Sequence, residues 1–128
     1  MNLESRQVTT SKSQEELYTF LTQVENFKQL MPEDTKFEVQ GTDKFLFGLK
    51  GMPEIRLGLQ ESIPHSKVVL GSTSDKLAFT LTCDMVQQEN GTLAQLHFNG
   101  DFNAMMAMMI KGPINKFLEQ LATGLEKL

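Results

Sequence analysis

The chain has 128 residues, 40% of them hydrophobic and 22% charged, with a formal net charge of −4. That is enough for one folded domain with its own core and too apolar for a disordered chain. The acidic balance excludes a general nucleic-acid binder, which needs a basic surface, and no Lys/Arg run forms a lipid-headgroup patch. The single cysteine, Cys83, leaves no internal disulfide and suits a reducing cytosol, the expected compartment. The opening MNLESRQVTT lacks the basic-then-apolar layout of a signal peptide. No apolar run approaches the ~20 residues of a membrane span, and AMMAMMI stops at Lys111, so no stable membrane anchoring is expected. No linker, repeat or low-complexity tract interrupts the chain, which is read as one domain over residues 1–128.

After a short first strand, SKSQEELYTFLTQVENFKQLMP reads as helix. Ser13 and Glu16 have the spacing of a capping box, and Leu17, Phe20, Leu21 and Val24 recur at helical spacing. Phe27, Leu30 and Met31 carry the apolar face past Glu25–Asn26 as a second short helix, which Pro32 closes.

The middle of the chain alternates at period two, the mark of an antiparallel sheet with one wet face. The strands are TKFEVQ (Phe37, Val39), KFLFGLK (Phe45, Phe47, Leu49), EIRLGLQESI (Ile55, Leu57, Leu59), KVVLG, KLAFTLTCDMV (Leu77, Phe79, Leu81, Cys83, Met85) and TLAQLHFNGDF (Ala94, Leu96, Phe98, Phe102). Asn90–Gly91 is a two-residue hairpin signal. It pairs Glu89 with Thr92, Cys83 with Phe98, Leu81 with Gly100 and Phe79 with Phe102. Three-residue loops at Gly41–Thr42–Asp43 and Gly51–Met52–Pro53 put Val39 opposite Phe45 and Leu49 opposite Ile55. The last segment, Ala104–Leu128, predicts one long helix with Met106, Ile110, Ile114, Phe117, Leu121, Leu125 and Leu128 on one stripe. At ~1.5 Å per residue it spans roughly 37 Å, enough to cross a sheet, with a kink or offset expected at Gly112–Pro113.

A sheet alternating this strongly needs its apolar face covered, and the last helix is the available cover. The expected architecture is therefore α+β: a strand, two short helices, a six-stranded antiparallel meander, and a long C-terminal helix packed across the curved sheet. This order resembles the START-like (SRPBCC, helix-grip) superfamily over essentially the whole chain. The resemblance is carried by SQEELYTFLTQVENFKQLMP after the first strand and by the terminal helix after LHFNGDF. Leu17, Phe20, Leu21, Glu25–Asn26 and Pro32 stand where that superfamily has its first-helix pattern, with Leu30 in place of the usual tryptophan. Within the superfamily, LKGMPEIRLGLQESI and the small-residue start of the last helix are similar to small bacterial proteins like the G-type component of carbon monoxide dehydrogenase. That likeness implies an apolar ligand, lipid-, quinone- or fatty-acid-like. The superfamily also includes aromatase/cyclase-like enzymes and heat-shock-ATPase activators, so an enzyme and a protein-interaction module using the surface of the C-terminal helix are the alternatives.

The residues expected to line a narrow apolar space between sheet and helix are Phe47, Leu57, Leu59, Phe79, Leu81, Phe98, Met106, Met109 and Phe117. Flexible thioethers suit an adaptable wall, while the same large side chains could pack the space shut. Met105 and Met108 lie off the stripe and could cover the first helices, touch a second copy in a homodimer, or sit at the mouth. Glu61 shares the parity of Leu57 and Leu59 and is a candidate polar anchor for a head group, or a rim residue reaching water. Asp84 and His97, directly opposed in the predicted register, could orient a general base. Their neighbours Thr80, Thr82, Gln95, Asn99 and Asp101 mark a solvated face instead, remote from any pocket. Cys83 reads as a buried inert thiol, His65 as a turn residue and Tyr18 as a partly exposed helix residue. No Gly-rich phosphate loop, metal-spaced His/Cys/Asp set or Ser–His–Asp arrangement is present. No catalytic residue, metal or cofactor is therefore assigned, and the expected partner is a hydrophobic small molecule or lipid.

Overall fold

The structure, a computed structural model, describes residues 1–31, 35–48, 54–73 and 78–128. In chain order the elements are β1 (Asn2–Glu4), β2 (Val8–Thr10), α1 (Gln14–Leu21), a 3₁₀ helix (Val24–Leu30), β3 (Lys36–Val39), β4 (Lys44–Gly48), β5 (Ile55–Ile63), β6 (Lys67–Ser72), β7 (Phe79–Gln88), β8 (Gly91–Gly100) and α2 (Ala104–Glu126). Among the described residues eight strands form one sheet in the order β1-β8-β7-β6-β5-β4-β3, with β2 also on β8. Every pairing is antiparallel. The architecture is the α+β helix grip expected, with the first strand split in two. Ser5 causes the split. Its N–H donates to the Leu96 carbonyl, and its hydroxyl accepts the Leu96 N–H at 3.0 Å, so the chain leaves the ladder there without leaving a buried backbone group unpaired.

The first helix starts where the capping box places it. Ser13 Oγ accepts the Glu16 N–H at 3.1 Å, and Glu16 Oε1 accepts the Ser13 N–H at 3.0 Å. The second of these bonds, from the Ser13 backbone to the carboxylate, favours the ionised form and is the main cause that holds Glu16 below its usual range. Leu17, Leu21, Val24, Phe27 and Leu30 are buried against sheet and α2. Asn103 caps α2 by accepting the Met106 N–H at 2.8 Å. The helix runs through Pro113, which has no N–H to offer the Met109 carbonyl. Its buried stripe is Ile110, Ile114, Phe117, Leu118, Leu121, Ala122 and Leu125.

Two sheet registers differ from the sequence expectation, each by two residues. Leu81 pairs with Phe98, Cys83 with Leu96 and Gln88 with Gly91, so the turn is Glu89–Asn90 and not Asn90–Gly91. The even shift leaves every side chain on its expected face. Gly91 is needed for a different reason: at φ +149° it lies against β2, and a Cβ there would sit 2.0 Å from the Thr10 carbonyl oxygen. Phe47, not Leu49, pairs with Ile55; Leu49, the Gly51–Met52–Pro53 loop, Leu77 and Pro32 lie outside the described residues. Val39 faces Phe45 as expected.

A third difference changes faces. Leu59 pairs with Leu70, but the next aligned pair is Glu61 with Val69, leaving Gln60 as an extra residue in β5. Such a bulge reverses the parity beyond it. Gln60 lies over Gly71, where a Cβ would meet its Oε1 at 2.5 Å.

Candidate functional site

The apolar face of the sheet and the buried stripe of α2 enclose the candidate site. Its first half is filled by aromatic rings. Phe27 stacks on Phe45 at 5.2 Å, Phe45 on Phe47 at 6.1 Å, and Phe47 on Phe117 at 4.5 Å between centroids. Phe79, Phe98 and Phe102 form a second row, at 5.0 Å and 6.1 Å. Offset stacking of this kind adds to the burial of each ring.

The space that remains lies under the second half of α2. It is a void of about 10 Å³, close to the smallest that could hold one water. Leu21, Phe27, Leu30, Leu121 and Leu125 close it from the helical side, and Val68, Leu70, Leu81, Cys83 and Leu96 from the sheet. Among these lining residues the titratable group is the Cys83 thiol, and burial pushes its pKa up to about 12, with Asp84 adding a smaller push. It stays a neutral thiol at physiological pH, the inert state expected of it.

Of the nine residues expected to line the space, Phe47, Leu57, Leu81, Phe98 and Phe117 are buried in the common core, and Leu59, Phe79 and Met106 pack against it. Leu81 alone touches the void. Met109 is corrected: it is 65% exposed, alongside Met105 at 75% and Met108 at 83%. At roughly 100° per residue, Met109 lies about 140° from the middle of the buried stripe, which turns gradually along the helix away from Met106. Glu61 is also corrected. The bulge at Gln60 puts it on the outer face beside Val69, exposed and away from α2, so it cannot anchor a ligand in the interior. The void-lining residues absent from the expected set, among them Cys83, Leu96, Leu121 and Leu125, all showed the correct parity or stripe position. No local signal distinguishes the half that packs tightly from the half that does not.

On the outer face His97 is opposite Thr82, and Asp84 opposite Gln95. The shifted register makes the Asp84–His97 contact diagonal: His97 Nε2 lies 3.2 Å from Asp84 Oδ2, and its Nδ1 lies 3.6 Å from Glu4 Oε2. Lys67 Nζ lies 3.6 Å from Asp84 Oδ1. The pair is solvent-accessible, as expected, but it is not remote from any concavity: it lines an open depression of about 610 Å³. Glu4 of β1 and Asp84 of β7 thus each place a carboxylate within 4 Å of a ring nitrogen of His97 in β8. Among the described residues no group of three or more His, Cys, Asp or Glu could hold a metal ion, and no helix is long and apolar enough to cross a membrane.

One polar cluster was not foreseen. Arg6, in the link between β1 and β2, donates to Glu119 at 2.7 Å, Glu126 at 2.9 Å and Thr123 at 3.2 Å. It ties that link to the outer side of α2, and the two carboxylates raise its pKa. No spacing rule connects residues this far apart in sequence.

No protein-family model matches the chain, and no curated protein matches it significantly. Solved structures do. A START superfamily protein from Mycobacterium smegmatis superposes with a TM-score of 0.73 at 14% identity, covering 98% of this chain and 94% of that one. A structural-genomics protein from Chromobacterium violaceum gives 0.68 at 17% identity, over 98% and 97%. The Aha1 dimer from Colwellia psychrerythraea gives 0.62 at 17% identity, over 98% and 96%. Strand order, the covering α2 and these likenesses agree: the chain has the START-like helix-grip fold.

Proposed function

We propose that the chain is a non-catalytic binding module, acting as one domain over residues 1–128, for a hydrophobic small molecule or lipid of quinone- or fatty-acid-like character. The supporting observation is the void between sheet and α2. Every side chain around it is apolar apart from the neutral Cys83 thiol, and pockets for apolar ligands have this make-up. At about 10 Å³ the void is closed at rest, so a ligand enters by spreading its walls. The wholly apolar make-up of those walls favours binding over aromatase/cyclase-like chemistry, which needs an acid–base pair beside its substrate. A lone buried thiol favours a cytosolic setting. The likeness to the carbon monoxide dehydrogenase component remains a reading of LKGMPEIRLGLQESI, part of which lies outside the described residues. The test is mass spectrometry of a solvent extract of the purified protein, together with titration by a fluorescent apolar probe. A co-purified lipid or quinone, or saturable probe binding, is expected; neither appearing would end this reading.

A second reading has its own observation. Met105, Met108 and Met109 expose three large apolar side chains on one flank of α2, the kind of surface that a protein partner or a second copy of this chain covers. Replacing all three with Gln should leave probe binding intact. A loss of self-association in sedimentation on the same replacement would move the function to this surface.

A further inference from the structure

A basin of about 290 Å³ opens on the surface between the 3₁₀ helix and the second half of α2, and its floor includes Leu30. Leu30 also lines the buried void. Leu30, itself 4% exposed, is the residue that the surface basin and the apolar interior share.

The 3₁₀ helix runs for seven residues and has no side-chain cap at its start, and hydrogen-bond geometry is poor over such a length. It meets α2 at Gly124, where a Cβ would lie 2.9 Å from the Leu30 Cα. Contact there is close and backbone against backbone, and no side chain of Gly124 interlocks with the 3₁₀ helix. The rim carries Gln29, Gln120, Thr123 and Lys127. Glu119 is also on the rim, but its carboxylate is taken by Arg6, whereas Lys127 has no ion pair among the described residues. The mouth thus presents amides, the Lys127 ammonium group and, paired through one oxygen with Arg6, the Glu119 carboxylate above an apolar interior.

We propose that this is the entrance to the binding site, gated by Leu30, and that the ligand is a single-tailed amphiphile whose carboxylate head rests at Lys127 while its tail displaces Leu30 to enter the void. The proposal rests on the binding reading above and adds to it the route and the class of head group.

The experiment uses the full chain with cis-parinaric acid, a fluorescent long-chain carboxylate, and its neutral methyl ester as probes. In a Gln120→Cys variant the new thiol is capped with N-phenylmaleimide; Cys83, buried and un-ionised, does not compete. Capping should slow uptake of both probes about tenfold or more, while the same cap on a Met108→Cys variant should leave uptake unchanged. Lys127→Gln should weaken binding of the acid by about two- to fivefold, the range of an exposed ion pair, and leave the ester unaffected. Uptake as fast in the capped Gln120→Cys protein as in the capped Met108→Cys protein would overturn the entrance. Equal effects of Lys127→Gln on acid and ester would overturn the head-group assignment. Failure of the unmodified protein to bind either probe would instead remove the binding reading itself, and the entrance with it.

Discussion

Phe47 of β4 and Phe117 of α2 stack with ring centroids 4.5 Å apart and planes 19° from parallel. Both are buried, and the pair fastens the helix to the far side of the sheet from β8. Phe117→Ala should cost about 3–5 kcal/mol, the usual loss for a buried phenylalanine. Urea unfolding measures it. A loss under about 1 kcal/mol would show that this end of the interface is not packed as described.

The position of the methionines changes the expected effect of filling the interior. Met108→Trp and Met109→Trp should both leave apolar-probe binding unchanged, because both side chains are outside. Leu121→Trp adds bulk to the wall of the void and should weaken binding, with overpacking costing about 1–3 kcal/mol of stability. Selective loss of binding with Met109→Trp would return that residue to the interior.

Two glycines with positive φ separate conformational strain from steric contact. A Cβ on Gly41 (φ +102°) meets nothing within 4 Å, so Gly41→Ala should cost only the backbone penalty, about 1–2 kcal/mol. A Cβ on Gly91 would meet the Thr10 carbonyl at 2.0 Å, and backbone cannot step aside as a flexible side chain can. Gly91→Ala should therefore be clearly the more damaging of the two by thermal or urea unfolding. Equal losses would mean that β2 does not press on the β7–β8 turn.

Glu16 is depressed in the folded state from its ordinary value of 4.5, first by the Ser13 backbone bond. A folded value below the unfolded one means that the charge contributes stability above about pH 4.5, and that this contribution is lost as pH falls through the folded value. The difference in melting temperature between the unmodified protein and Glu16→Gln should therefore shrink between about pH 6 and pH 3. A difference that stays constant over that interval would show that the carboxylate does not hold the capping box.

What the sequence by itself determined is what local geometry dictates. Alternation in β4, β7 and β8, the Ser13–Glu16 cap and the stripe from Ile110 to Leu125 each follow from the direction in which successive side chains leave a strand or helix, and together they settled the element order and the covered face. What only the tertiary structure decided depends on groups far apart in the chain. The β7–β8 register is set where Gly91 must fit against Thr10, a contact the Asn90–Gly91 turn signal does not contain. Gln60, bulging over Gly71, turns Glu61 outward although its parity pointed in. Ser5 leaves the ladder because Leu96 is placed to bond it. The void lies beneath Leu121 and Leu125, and not beside Met106 and Met109, because the rings of Phe45, Phe47 and Phe117 fill the space beyond Phe27. Periodicity shows which side of an element is buried, but how tightly that side packs depends on the shapes meeting across the interior, and those shapes come together only in the folded chain.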